Sequence, residues 1–147
     1  MSLELALNAV CDLLRAHVTQ LPVVLGRPDA QPEPALCVWP WRMSESASAR
    51  QFLPMTTRDT FRSTPSVPLN IQFMLLATPA LAPAGLQALD AARRALAEHP
   101  VLNADAGALQ VTSESLSMEE LAGIFLSAHL PLGLCAAFAL RSVAPNA

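Results

Sequence analysis

Pro68-Leu69-Asn70-Ile71-Gln72-Phe73-Met74-Leu75-Leu76-Ala77-Thr78 is the stretch on which the reading of this chain turns. Leu69, Ile71, Phe73 and Leu75 alternate with Asn70, Gln72 and Met74, the two-residue period of a strand whose successive side chains point to opposite faces. Pro79 ends the run, since proline has no N–H to give to a ladder. An apolar strand face of this kind needs helices or a second sheet to cover it.

Downstream, Pro83 suits the first turn of a helix with Leu86, Leu89, Arg93 and Leu96 along one side. Asp90 and Arg94 form an i,i+4 pair on it, and His99-Pro100 stops it. Leu109 to Thr112 reads as a short strand. Ser117-Met118-Glu119-Glu120 then forms a capping box ahead of Leu121, Ile124 and Phe125, which predicts a third helix closed by Pro131 and Gly133. Leu134 to Arg141 alternates again, with Leu134, Ala136, Phe138 and Leu140 on one face, as a final strand.

Upstream, residues 43–67 lack a clear period and read as a long loop, of a kind that is usually functional or disordered. Ala35 to Arg42 reads as a strand with Leu36 and Val38 on one face and Cys37, Trp39 and Trp41 on the other. Pro40 restricts it to a sheet edge or a bulge. Gly26 to Pro34 is a turn, and Val23-Val24-Leu25 a short strand. Leu3, Leu7, Val10, Leu14, Val18 and Leu21 form the stripe of an opening helix, with Ser2 as N-cap, Glu4 suiting the dipole and Pro22 as its stop. The order predicts one α+β domain over residues 1–147, with a mixed or antiparallel sheet of about four to five strands and two to three helices packed on it.

Composition narrows the function. Charged residues are 14% of the 147 and all nine basic residues are arginine. So little charge points either to a surface covered by partners or to a compositional bias toward Ala, Pro and Arg, and both readings stand. The net charge of −3 argues against nucleic-acid binding, which works by neutralising phosphates. No apolar run nears the roughly 20 residues that span a bilayer. The acidic start Ser2-Leu3-Glu4-Leu5 does not resemble a signal peptide. Cys11, Cys37 and Cys135 read as small hydrophobes in a reducing compartment, so the expectation is a cytoplasmic chain without metal or cofactor.

A search for chemistry finds no G-x-S-x-G elbow, P-loop, G-x-G-x-x-G or C-x-x-C. His17, His99 and His129 each fall at a helix end, where the expected role is capping, ahead of a His/Cys metal site. Glu119-Glu120 points in two directions on a helix, and Glu120 is already used by its cap. Trp39 and Trp41 share a strand face and are read as core or interface aromatics, ahead of a stacking platform. Arg42, Arg50, Arg58 and Arg62, with Phe52 and Phe61, make the long loop an arm that orders on a partner, since arginine and aromatics are favoured at interfaces. The alternative is a small-ligand module using the Trp39/Trp41 face and the loop arginines. No enzyme is expected.

The order of segments resembles the N-terminal domain of cap proteins of bacterial extracellular contractile injection systems, relatives of phage tail terminators. The resemblance runs through Ala6-Leu7-Asn8-Ala9-Val10 to Leu14 and through Pro65 to Thr78, a proline-then-strand signature. It continues in Ala91-Ala92-Arg93-Arg94-Ala95-Leu96-Ala97-Glu98-His99-Pro100-Val101-Leu102 and in Val111 to Leu121. The chain carries Ile124-Phe125 where the family often has Trp, has no tyrosine in its last strand, and ends at Ala147 where some members continue. A cap, a shortened paralogue and a phage-type terminator all remain open on these residues.

The resemblance implies a structural subunit that closes the inner tube and anchors the sheath. It implies a six-fold ring made in the cytoplasm and then carried on a released or intracellular particle. Its partners would be copies of itself and the tube and sheath subunits, with no nucleic acid and no membrane. Such sheaths join by strand exchange, so the exposed edge expected as the attachment point is Leu134 to Arg141 or Ala35 to Arg42.

Overall fold

A computed structural model describes residues 2–45, 69–104 and 107–142. Helix α1 (Leu3–His17) opens the chain, with the Ser2 hydroxyl accepting from the Leu5 N–H. After it come β1 (Val23–Leu25), a 3-10 turn (Pro28–Ala30), β2 (Ala35–Glu45) and β3 (Leu69–Thr78). Helix α2 (Pro83–Glu98), β4 (Val101–Ala104), β5 (Gly107–Glu114), α3 (Met118–Ser127) and β6 (Ala136–Ser142) complete it.

The strands form a single mixed sheet in the order β1-β2-β3-β6-β5-β4. β1 runs parallel to β2, and the other neighbours are antiparallel. Two pairs adjacent in sequence, β2–β3 and β4–β5, flank β6. Helices α1 and α2 cover one face. Here Leu36 and Val38, then Ile71, Phe73 and Leu75, then Phe138 and Leu140 meet Leu7, Val10 and Leu14 of α1 in one buried cluster. Phe73 stacks on Phe138 at 5.7 Å between centroids. Fully burying a side chain of this size stabilises by about 1.5–3 kcal/mol.

The α+β class is as expected, and the sheet has six strands where about four to five were anticipated. The extra strand is β4: Pro100 does end α2, and Val101–Ala104 at once pairs back on Gly107–Gln110. A four-residue strand straight after a helix is too short to show a period.

Helix α1 stops at His17, short of Pro22, because Val18 is already extended, although Val18 stays buried. On α2 the buried side is Gly85, Ala88, Ala92, Ala95 and Leu96; of the expected stripe Leu96 is buried and Leu89 packs half-buried on the core, while Leu86 and Arg93 face outward. Leu86 is 42% exposed. Small residues let α2 lie against the sheet: a Cβ on Gly85 would stand 2.9 Å from the Pro79 carbonyl oxygen and 3.0 Å from Ala77 Cβ. Spacing selects a stripe, and here close approach rather than side-chain bulk decides which stripe faces in.

The largest correction concerns the last strand. Leu134 to Arg141 was one of the two candidates for an exposed edge. β6 is instead interior, hydrogen-bonded to β3 on one side and β5 on the other. An alternating pattern shows that one face is covered and is silent on how many neighbours the strand has.

Candidate functional site: an aromatic groove at an open strand edge

The second sheet face carries a smaller cluster in which Trp39, Met74 and Leu76 meet Phe125 and Ala128. Helix α3 supplies its cover. Ser117 caps it, its Oγ accepting from the Glu120 N–H at 3.1 Å and donating to Glu120 Oε1 at 3.1 Å. The capping box thus closes through the two side chains. At the other end Arg27 pairs with Asp29 in a two-pronged contact and donates to the Ala128 carbonyl. That contact ties the 3-10 turn to the end of α3, and the Arg27 hydrogen bond holds the Asp29 carboxyl below its usual range.

On β2 the register slips. Trp39 faces Met74 and Pro40 faces Phe73, but Arg42, not Trp41, faces Gln72. Trp41 is the extra residue of a β-bulge. Strict alternation would send Arg42 to the face of Leu36 and Val38. The bulge instead sets Arg42 beside Trp39 and Trp41 on the face of α3. Trp39 is 7% exposed and meets Phe125 edge-to-face, with centroids 5.7 Å apart at 73°.

These residues form one wall of an open groove of about 650 Å³, and Glu120, Gly123, Ile124 and Ser127 of α3 form the other. A Cβ on Gly123 would meet nothing within 4 Å, so the α3 wall leaves open space at that position. The Trp41 indole N–H is shut from solvent and meets no acceptor among the described residues. Arg42 is exposed at the rim.

The groove borders an open edge. Leu36 N–H donates to the Pro22 carbonyl and Val38 C=O accepts from Gly26, so alternate residues of β2 turn their polar backbone toward β1. The pairing ends with Leu25 opposite Val38, and among the described residues no strand continues it. Pro40 is next in phase, and its missing N–H falls on a side where no strand stands among the described residues. The expectation of an edge or a bulge at Pro40 is met by both. Among the described residues, Ala35 to Arg42 is therefore an interior strand at its start and an edge from Trp39 onward.

Of the residues singled out from sequence, Trp39, Trp41 and Arg42 come together here. Arg50, Phe52, Arg58, Phe61 and Arg62 lie outside the described residues, and residues 43–45 of the anticipated loop extend β2. Phe125, Gly123 and Ser127 were not singled out, because nothing in the spacing of α3 says which strand it covers. Burial pushes the Cys11 and Cys135 thiols up and the Cys37 thiol up to about 11, so none is poised as a thiolate nucleophile. Among the described residues no three His, Cys, Asp or Glu side chains converge as a metal site, and no helix is long and apolar enough to cross a membrane.

A profile of the Pvc16 N-terminal domain matches residues 3–145. Among solved structures, a cryo-EM structure of an extracellular contractile injection system, its PVC sheath/tube terminator in the extended state, is similar with a TM-score of 0.68. Identity is 11%, over 97% of this chain and 56% of that one. The anti-feeding prophage cap, described as the AFP tube terminating cap, is similar with a TM-score of 0.71 and 16% identity, over 97% of this chain and 54% of that one. The chain thus spans little more than half the length of the structures it resembles, and at these identities the likeness is one of fold. No curated protein matches by sequence.

Proposed function

The chain belongs to the Pvc16 N-terminal domain family, and from that premise we propose that it is a structural, non-enzymatic cap subunit that terminates the inner tube and anchors the sheath of a contractile injection particle. The observation that carries this is a fold shared along 97% of the chain with a tube terminating cap and a sheath/tube terminator. The whole of residues 1–147 acts as one domain. It closes into a ring of six, assembles in the cytoplasm and travels with the particle.

The groove supports an interface reading. Arginine and aromatic side chains at the rim of a desolvated pocket are the composition of binding hot spots. An open strand edge beside them offers backbone hydrogen bonds to an incoming extended segment. We assign Trp39, Trp41 and Arg42, together with Arg50, Phe52, Arg58, Phe61 and Arg62 of the following segment, to contact with a neighbouring subunit. The edge from Trp39 onward is the attachment point for sheath.

The test is co-expression of the chain with the tube and sheath subunits of its particle, followed by electron microscopy and light scattering. The expected result is a ring near six chains seated at one tube end, lost in Arg42→Glu and Trp41→Ala proteins that still fold. Tubes of normal length that end without the chain would overturn the proposal. Saturable binding of a small anionic aromatic compound by a strict monomer would support the ligand-module reading instead.

A further inference from the structure

Helices α1 and α2 end side by side on the larger sheet face, each in a histidine. The His17 and His99 rings lie 4.9 Å apart between centroids, tilted by 54°. His17 Nδ1 is 3.0 Å from the Leu13 carbonyl oxygen, and His99 Nδ1 is 3.0 Å from the Ala95 carbonyl oxygen. A carbonyl only accepts, so each Nδ1 must be the protonated nitrogen. In the neutral ring Nε2 then keeps its lone pair.

We propose that His17 and His99 form a binding site for one divalent transition-metal ion, held through their two Nε2 atoms. Nδ1–H bonded to a backbone carbonyl is the outer contact that fixes tautomer and ring orientation in metal-bound histidines, and here it is present on both rings before any ion arrives. A zinc–imidazole bond is about 2.0–2.1 Å, and a centroid separation of 4.9 Å is compatible with one ion bound at both rings once their Nε2 atoms turn to it. Both rings also sit at helix C-termini, where the aligned carbonyls favour a cation. Water completes the coordination. The bound ion clips the ends of α1 and α2 together above the sheet, independently of the groove on the other face.

The cysteines do not compete: Cys11 and Cys37 are buried and their thiols, like that of Cys135, are held protonated by burial. His129 follows the helix on the opposite sheet face and serves as the internal control.

The experiment is titration of the untagged 147-residue chain with zinc alone, at mildly alkaline pH, by calorimetry and by histidine ring NMR. One saturable site per chain is expected. Its affinity should fall at least tenfold in His17→Ala and in His99→Ala, the scale seen when the support of a single ligand is lost. His129→Ala should leave it unchanged. If His99→Ala unfolds, His99→Gln keeps the bulk without the ring. In the unmodified chain the His17 and His99 ring signals should move with zinc. The absence of saturable binding overturns the proposal. So does binding that survives loss of either ring, or a zinc response confined to His129.

Discussion

Phe125 is the one fully buried side chain of α3, at 2% exposure, and it is the anchor that holds this helix over the second sheet face. Phe125→Ala removes the ring that Trp39 meets edge-to-face and leaves a void bounded by Met74 and Leu76. Truncating a core phenylalanine costs about 3–5 kcal/mol. Of this, about 0.5–1.5 kcal/mol belongs to the aromatic pair itself, which Phe125→Leu isolates by keeping most of the volume. At roughly 2–4 °C per kcal/mol for a chain of this size, the alanine variant should melt at least about 6 °C lower and the leucine variant only a few degrees lower. The assay is built into the sequence. The chain has two tryptophans and no tyrosine, and both tryptophans sit in the α3 cluster, so intrinsic fluorescence reports on this face. Red-shifted native emission in Phe125→Ala is expected alongside the loss of stability. A change under about 1 kcal/mol with unshifted emission would refute the docking of α3 described above.

Two glycines should respond in opposite directions to the same substitution. Gly85→Ala drives a Cβ onto the Pro79 carbonyl and should destabilise by about 1–3 kcal/mol despite the better helix former. Gly123→Ala, in open space on α3, should stabilise by about 0.5–1 kcal/mol. Denaturant titration reads both, and a stabilising Gly85→Ala would contradict the close approach of α2 to the sheet. Asp90 accepts from Arg93 at 2.6 Å and pairs with Arg94 at 2.8 Å, and the Arg93 hydrogen bond holds its carboxyl below the usual range. A depressed carboxyl contributes stability above the unfolded pKa and loses it as pH falls through the folded value. The melting-temperature advantage of the native chain over Asp90→Asn should therefore shrink from about pH 6 to about pH 3, and an advantage that grows on acidification would be inconsistent with that pairing.

Much of this fold can be read from the residues, and the failures have physical causes. The alternation of Leu69 to Leu75 and the capping box at Ser117 located β3 and α3, because local chemistry alone determines them. Asp90 was expected to pair with Arg94, and the contact to Arg93 adds to it. Neighbour relations were not legible. Nothing in Ala136 to Ser142 says that a strand far along the chain will sit between β3 and β5. For the site, Pro40 flagged an irregularity and the tryptophans shared a face as expected. The position of the slip, which brings Arg42 to their side, follows from pairing with Gln72 and has no local signature. The buried stripe of α2 was located only through Leu96 and half-buried Leu89, because leucine outweighs alanine on a hydrophobicity count whereas packing distance favours Ala88, Ala92 and Ala95.

The central position of β6 has a consequence for how the molecule comes into being. Phe73 finds Phe138, and Val111 finds Leu140, only once the strand that joins the two flanking pairs has been made. A chain without β6 would leave β3 and β5 each with a bare margin able to template on another chain. A chain cut before β6 would therefore be the form most open to trading strands with a sibling, because it lacks the one strand that pairs with both β3 and β5.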